Sequence, residues 1–168
     1  VELTKFEITN TSDKAQTITS TVAIPMYARS ASNIRDHRHV TSLLHRTFTV
    51  KNGIMIYPTL TFDERGHNKN KIFYGALAKE EVNGEMVSPV SFCPVTEEFI
   101  GRGGNFENPY YVVKNQPLPY KAGEEVDGYE TVAAIRFADC TLEPGETRTY
   151  IVALGYGESE AEITEIAW

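Results

Sequence analysis

The chain predicts an all-β fold, an antiparallel β-sandwich. Three observations carry that expectation: apolar and polar residues alternate with period two along most of its length, turn-forming residues separate the alternating runs, and no stretch holds a helical period of useful length.

The first run, residues 3–9, sets Phe6 and Ile8 on one face and Lys5 and Glu7 on the other. Asn10-Thr11-Ser12-Asp13 follows as a turn, because short polar side chains bond to nearby backbone. The run 17–24 aligns Ile18, Val22 and Ile24, and Pro25 is expected to end it by removing a ladder donor. Residues 42–50 and 54–62 flank Lys51-Asn52-Gly53, where Asn-Gly is expected to take the positive φ angles of a tight hairpin turn. Residues 70–80 and 85–92 repeat the arrangement around Asn83-Gly84. The last pair, 131–140 and 147–156, is joined by Leu142-Glu143-Pro144-Gly145-Glu146, with Tyr150, Val152 and Leu154 facing one way. Between these pairs, residues 101–130 are rich in Gly, Asn and Pro and read as a long loop holding one short strand at 110–113. A connection of that length suggests work beyond joining strands.

At 168 residues the chain is long enough to bury one core, and 23% charged with 41% hydrophobic residues is ordinary for a globular domain. A net charge of -7 and a pI near 5.1 argue against nucleic acid or an anionic membrane as partner. No run approaches membrane-spanning length and no signal-like start is present. Cys93 and Cys140 sit among apolar and small neighbours and read as two buried thiols, so a reducing, cytoplasmic setting is expected. The strand pattern fills residues 1–156. Residues 157–168 read as the start of a connection, so the chain is expected to be a segment of a larger protein.

Residues 29–46 depart from the acidic background. They hold Arg29, Arg35, Arg38, Arg46, His37, His39 and His45 against the single acid Asp36, gathering four of the eight arginines and three of the four histidines. Rigid fork donors packed this densely suit oxyanions, carboxylates or hydroxyl-rich ligands. Arg35, Asp36, His37, Arg38 and His39 are therefore candidate binding residues, with Asp36 accepting from a hydroxyl or fixing a histidine tautomer. The same arginines can instead brace loops through backbone carbonyls and pair with acids such as Asp63 and Glu64. On a strand, His45 aligns with Thr47 and Thr49 while Arg46 aligns with Leu44, Phe48 and Val50, so Arg46 can be a paired arginine with no ligand. A metal at His37 and His39 is disfavoured, since residues 40–44 offer no carboxylate and Arg35 and Arg38 would repel a cation.

Asp63, Glu64 and His67 suit acid–base chemistry, though the neighbouring Gly66 and asparagines are equally typical of a tight turn. Glu97 and Glu98, if on a strand, point to opposite faces and cannot form a catalytic carboxylate pair. Gly101-Arg102-Gly103-Gly104 offers backbone donors to a phosphate, without a following helix to reinforce them. Tyr110, Tyr111, Tyr120 and Tyr129 lie in or beside the long loop and suit either sugar stacking or loop packing. No nucleophile elbow, Walker loop, dinucleotide fingerprint or zinc spacing occurs, and no catalytic residue is assigned.

Several pieces together resemble a family. "ITNTSDKAQTIT", "FIGRGG" and "LEPGETRTYIVALG" are similar to the sandwich part of glycoside hydrolase family ninety-four, formerly glycosyltransferase family thirty-six. "AIPMYARSASNIRDHRHVTSLLHR" and "PTLTFDERGHNKN" resemble its 1,2-β-oligoglucan phosphorylase branch. The likeness runs from about Leu3 to Tyr156 and is loosest over 105–130. It implies a galactose-mutarotase-like supersandwich, whole or in part, preceding an (α/α)6 catalytic barrel. In such enzymes inorganic phosphate attacks a β-glucan with inversion to release α-glucose 1-phosphate, and the general acid belongs to the barrel. The resemblance implies no cofactor, a homodimer, and a sandwich that contributes to the wall of the substrate site. Arg35 to His39 with Arg102 are the residues carried over to that wall. Two other roles stay open: a mutarotase-like epimerase pairing His39 with Glu64 or Glu97, and a carbohydrate-binding module using the loop tyrosines.

Overall fold

The computed structural model describes residues 1–28, 42–61 and 68–165. In chain order the strands are β1 (Glu2–Thr9), β2 (Gln16–Ile18), β3 (Thr21–Met26), β4 (His45–Val50), β5 (Gly53–Pro58), β6 (Leu60–Thr61) and β7 (Asn68–Lys69). They continue as β8 (Phe73–Val82), β9 (Glu85–Val87), β10 (Ser91–Val95), β11 (Glu125–Asp127), β12 (Thr131–Arg136), β13 (Cys140–Leu142) and β14 (Thr147–Gly157). The short helices whose bounds lie among the described residues are α1 (Thr96–Ile100), α2 (Tyr110–Val113) and α3 (Glu160–Thr164).

The fold is an all-β sandwich. One sheet has seven strands in the order β1-β14-β8-β5-β4-β11, with β9 beside β8, and the facing sheet has three, β10-β12-β3. Every pairing is antiparallel. Between the sheets, Ile54, Ile56, Ala76, Ala78, Tyr150 and Val152 of the large sheet pack on Met26, Phe92, Ala133 and Ile135 of the small one. Alternate residues of these strands thus face inward, and their neighbours face the opposite side of each sheet. The outer face of the small sheet (Cys93, Val132, Ala134) is covered by Phe99 of α1 and by Leu118. The outer face of the large sheet (Met55, Leu77, Ala153) is covered by Ile163 of α3, within the stretch that reads as a connection.

Several local expectations are corrected. The run 17–24 is not one strand: β2 pairs with β13 and β3 with β12, so the chain changes sheets at Thr19-Ser20. The Phe137 amide donates to the Ser20 carbonyl at 3.0 Å, and the Ser20 hydroxyl donates to the Tyr150 hydroxyl at 2.8 Å, which anchors the crossing. Pro25 does not close the strand but sits within β3 opposite Val132. β3 is an edge strand, so one side needs no ladder donors. The hairpin at Lys51-Asn52-Gly53 forms, with Val50 opposite Gly53, yet neither Asn52 nor Gly53 takes a positive φ. Gly53 is required because a Cβ there would strike the Ala76 carbonyl of β8. At Asn83-Gly84 the positive angles do occur, 53° and 82°. The run 131–140 divides into β12 and the start of β13, and 54–62 breaks between Pro58 and Leu60. Residues 110–113 form a helix and not a strand, and α1 is a second helix absent from the strand reading.

Candidate functional site

The site is built around the end of β10. The ladder to β12 slips between Cys93 and Val95, at Pro94, and α1 begins immediately after. Glu97 and Glu98 stand in its first turn, where carboxylates complement the exposed amides of a helix start. Phe99, 1% exposed, anchors the helix on Cys93, Leu118, Val132 and Ala134. Gly101 ends it with φ 83°, its amide donating to the Glu97 carbonyl at 3.0 Å. A Cβ on Gly101 would stand 2.8 Å from the Tyr110 Cβ, so the glycine lets α2 approach. Pro109, with φ -67°, presets the start of α2.

The remainder of the long loop is tied down from behind. Arg136, 8% exposed, donates to the Gln116 carbonyl and the Asn115 side-chain oxygen, both at 2.7 Å. The Leu118 amide donates to Ser91 Oγ at 3.2 Å, and Phe92 and Tyr120 exchange two backbone bonds. Thr49 Oγ1 donates to the Lys121 carbonyl at 2.5 Å and accepts from the Glu124 amide at 2.9 Å.

What results is an open cleft of about 390 Å³ lined by Val95, Glu97, Glu98, Gly101, Arg102, Tyr110, Tyr111 and Tyr129. Arg102 is exposed, and no described residue forms a hydrogen bond or ion pair with its guanidinium. Tyr110 and Tyr129 are about half exposed, and Tyr110 stands edge-on to Tyr111 with ring centres 5.4 Å apart. Behind them the Tyr120 hydroxyl donates to Glu98 Oε1 at 3.3 Å. Burial, and then the Glu98 charge, pushes the Tyr120 phenol up to about 12. Burial likewise pushes the Cys93 thiol up to about 12, which leaves it protonated and non-nucleophilic at neutral pH. Both cysteines are free.

Of the residues predicted to bind, Arg102 lies in this cleft. Arg35, Asp36, His37, Arg38 and His39 lie outside the described residues, as do Asp63, Glu64 and His67. The flanks of both segments are described. β6 and β7 pair with each other on either side of 62–67. On the near side of 29–41, the Ala28 carbonyl stands 3.3 Å from His45 Nε2, and the Gly128 amide donates to the His45 carbonyl at 3.0 Å. His45 is fully buried and its Nδ1 completes no hydrogen bond. Burial holds its imidazolium below the usual range, against the opposing pull of the Ala28 and Tyr129 backbones and the Glu130 charge. Arg46 is a paired, half-exposed arginine: Nε stands 3.3 Å from Asp127 and Nη1 donates to the His45 carbonyl.

Two features escaped the sequence reading. Glu97 and Glu98 both line the cleft because they sit on a helix; two acids just ahead of Phe99-Ile100 were the available signal of a helix start. The Gly-rich turn has two of its amides bonded within the backbone. The Gly101 and Gly104 amides are spent on Glu97 and Gly101 carbonyls, and α1 presents its carbonyl end, the pole that repels anions. Among the described residues no three His, Cys, Asp or Glu side chains converge as a metal site, and no helix is long and apolar enough to cross a membrane.

The family model for the Glycosyl hydrolase 94 supersandwich domain matches residues 1–168. The chain belongs to that family. Comparison with curated proteins gave no match. This supersandwich domain is thus a non-catalytic β-sandwich of a glycoside phosphorylase family, and its setting is carbohydrate metabolism. The structure explains two of the sequence pieces that resembled the family, because they touch. Asn10 of "ITNTSD" donates through Nδ2 to the Leu142 and Lys14 carbonyls, both at 2.8 Å. Its backbone exchanges bonds with Glu146 and Gly145 of "LEPGET" at 2.9 and 2.8 Å.

Proposed function

We propose that this supersandwich domain serves a phosphorylase that cleaves β-1,2-linked glucan with inorganic phosphate. The chemistry belongs to a separate (α/α)6 barrel, and the sandwich contributes to the wall of the substrate site and to homodimer formation. Arg35, Asp36, His37, Arg38 and His39, with Arg102, contact the glucan or phosphate. One observation carries the reading: family membership coincides with an arginine, Arg102, that has no partner among the described residues and stands in an open tyrosine-lined cleft on this domain. The linkage rests on the resemblance of residues 23–46 and 58–70 to the β-1,2-oligoglucan branch. The domain operates in the cytoplasm.

The test is steady-state kinetics of the complete enzyme carrying Arg35→Ala with Arg38→Ala. A rise in KM for β-1,2-glucan or phosphate, with no comparable effect on a β-1,4-linked substrate, is expected. Unchanged constants for every substrate would remove these residues from the site wall. Sedimentation of the same protein reads the dimer.

A further inference from the structure

We infer that the cleft beside Arg102 is a sugar-ring subsite, not an anion site, and that Tyr129 and Tyr110 supply its stacking surface. The choice of glucan as ligand rests on the function proposed above; the chemistry of the cleft stands on its own.

The charges exclude a phosphate. Among the described residues that line the cleft Arg102 is the one cation, whereas Glu97 and Glu98 add two carboxylates. α1 adds the negative pole of its carbonyl end, and two of the turn's amides are already bonded within the backbone. A dianion entering here would meet net repulsion.

The same groups suit a polyol. A guanidinium only donates hydrogen bonds and a carboxylate only accepts them, whereas a hydroxyl does both. Arg102 beside Glu97 and Glu98 therefore offers complementary partners to the hydroxyls along one edge of a pyranose. The apolar C–H face of such a ring needs a flat, polarizable surface. Tyr129 is 54% exposed and Tyr110 48%, and both line this cleft. Rings left in water at the rim of a preformed cleft, next to charged groups open to solvent, have the composition of a ligand site. The surface is also held in place: Gly101 lets Tyr110 pack on the turn, and the Arg136, Ser91 and Thr49 bonds fix the loop that carries the tyrosines. Little ordering entropy is then lost when a sugar binds.

The experiment is an NMR titration of this chain with a β-1,2-linked gluco-oligosaccharide, a β-1,4-linked one and inorganic phosphate. The expected result is saturable shifts at Arg102, Tyr110 and Tyr129 with an oligosaccharide and none there with phosphate. Tyr129→Ala should weaken binding about tenfold, the weight of one stacked ring, while Tyr129→Phe keeps the affinity. Because Tyr129 lies at the surface, both variants should retain the dispersed spectrum of the parent. Phosphate saturating the same residues overturns the inference, as does oligosaccharide binding that Tyr129→Ala leaves intact. No saccharide binding by the folded chain also overturns it, and leaves the role of Arg35 and Arg38 to be decided by the kinetics of the complete enzyme. A preference between the linkages bears on the proposed substrate and not on the cleft.

Discussion

Asn10 shows how one side chain can hold a fold that has little helix to rely on. It is 6% exposed, and its amide nitrogen satisfies two carbonyls while its oxygen accepts from the Ser12 backbone and hydroxyl. Asn10→Ala leaves the Leu142 carbonyl buried without its donor, and a loss of about 2–3 kcal/mol in the urea-unfolding free energy is expected. His45 makes a prediction about pH. Its folded pKa lies below the ordinary 6.5, so the unfolded chain takes up a proton first as the solution is acidified. Its contribution is complete above 6.5 and is lost as pH falls towards the folded value. Glu80 has the opposite sign. Burial raises its pKa above 4.5 against the pull of Arg148, whose Nη1 is 3.6 Å away, so its contribution is lost as pH rises through the folded value. Comparing wild type with His45→Gln isolates the imidazole. Between pH about 7.5 and about 5.5 the wild-type urea midpoint should drop and the variant's should drop less. Equal drops would show that His45 is not the group being titrated.

At the scale of elements, glycine positions separate what can be altered from what cannot. Gly101→Ala combines a φ of 83° with a Cβ pressed on Tyr110, and should cost about 2 kcal/mol in stability while shifting the NMR signals of α2. Gly84, with open space around it, should cost less, about 1 kcal/mol, from its positive φ alone. The same elements show which parts of the structure were legible in sequence. β4 alternates buried and half-buried residues, and β1 alternates apolar with polar side chains around Phe6 and Ile8, so period two revealed them. α1 and α2, at five and four residues, are too short for a helical period to be seen. The division of residues 16–26 between two sheets happens at Thr19-Ser20, which has neither glycine nor proline to announce it. Pro25 was misread because being at an edge is a property of the sheet and not of the strand. In the site, "FIGRGG" marked Arg102 and the loop composition marked the tyrosines. Their meeting with Glu97 and Glu98 depends on α1 turning both acids to one side, which no local spacing encodes.

Among the described residues the two layers are unequal, seven strands against three. In β1, Phe6 stands opposite Tyr150 and Ile8 opposite Arg148, so both face the interlayer side, yet they remain 49% and 40% exposed. Phe6→Thr with Ile8→Thr should change the unfolding free energy by no more than about 0.5 kcal/mol for each site and reduce concentration-dependent association in sedimentation. A much larger loss would mean that this face is covered in solution. The place of β1 also sets an order of events in time. The Thr9 and Thr147 hydroxyls meet at 2.7 Å across 138 positions of sequence, and among the described residues β14 is the one strand that pairs with β1. On a ribosome β1 is made before every other strand described here, yet it must wait for the last of them before its backbone finds a partner. During that interval Leu3, Phe6 and Ile8 are exposed on an unpaired strand. The yield of folded domain therefore depends on how fast translation delivers β14, as well as on how stable the finished sandwich is.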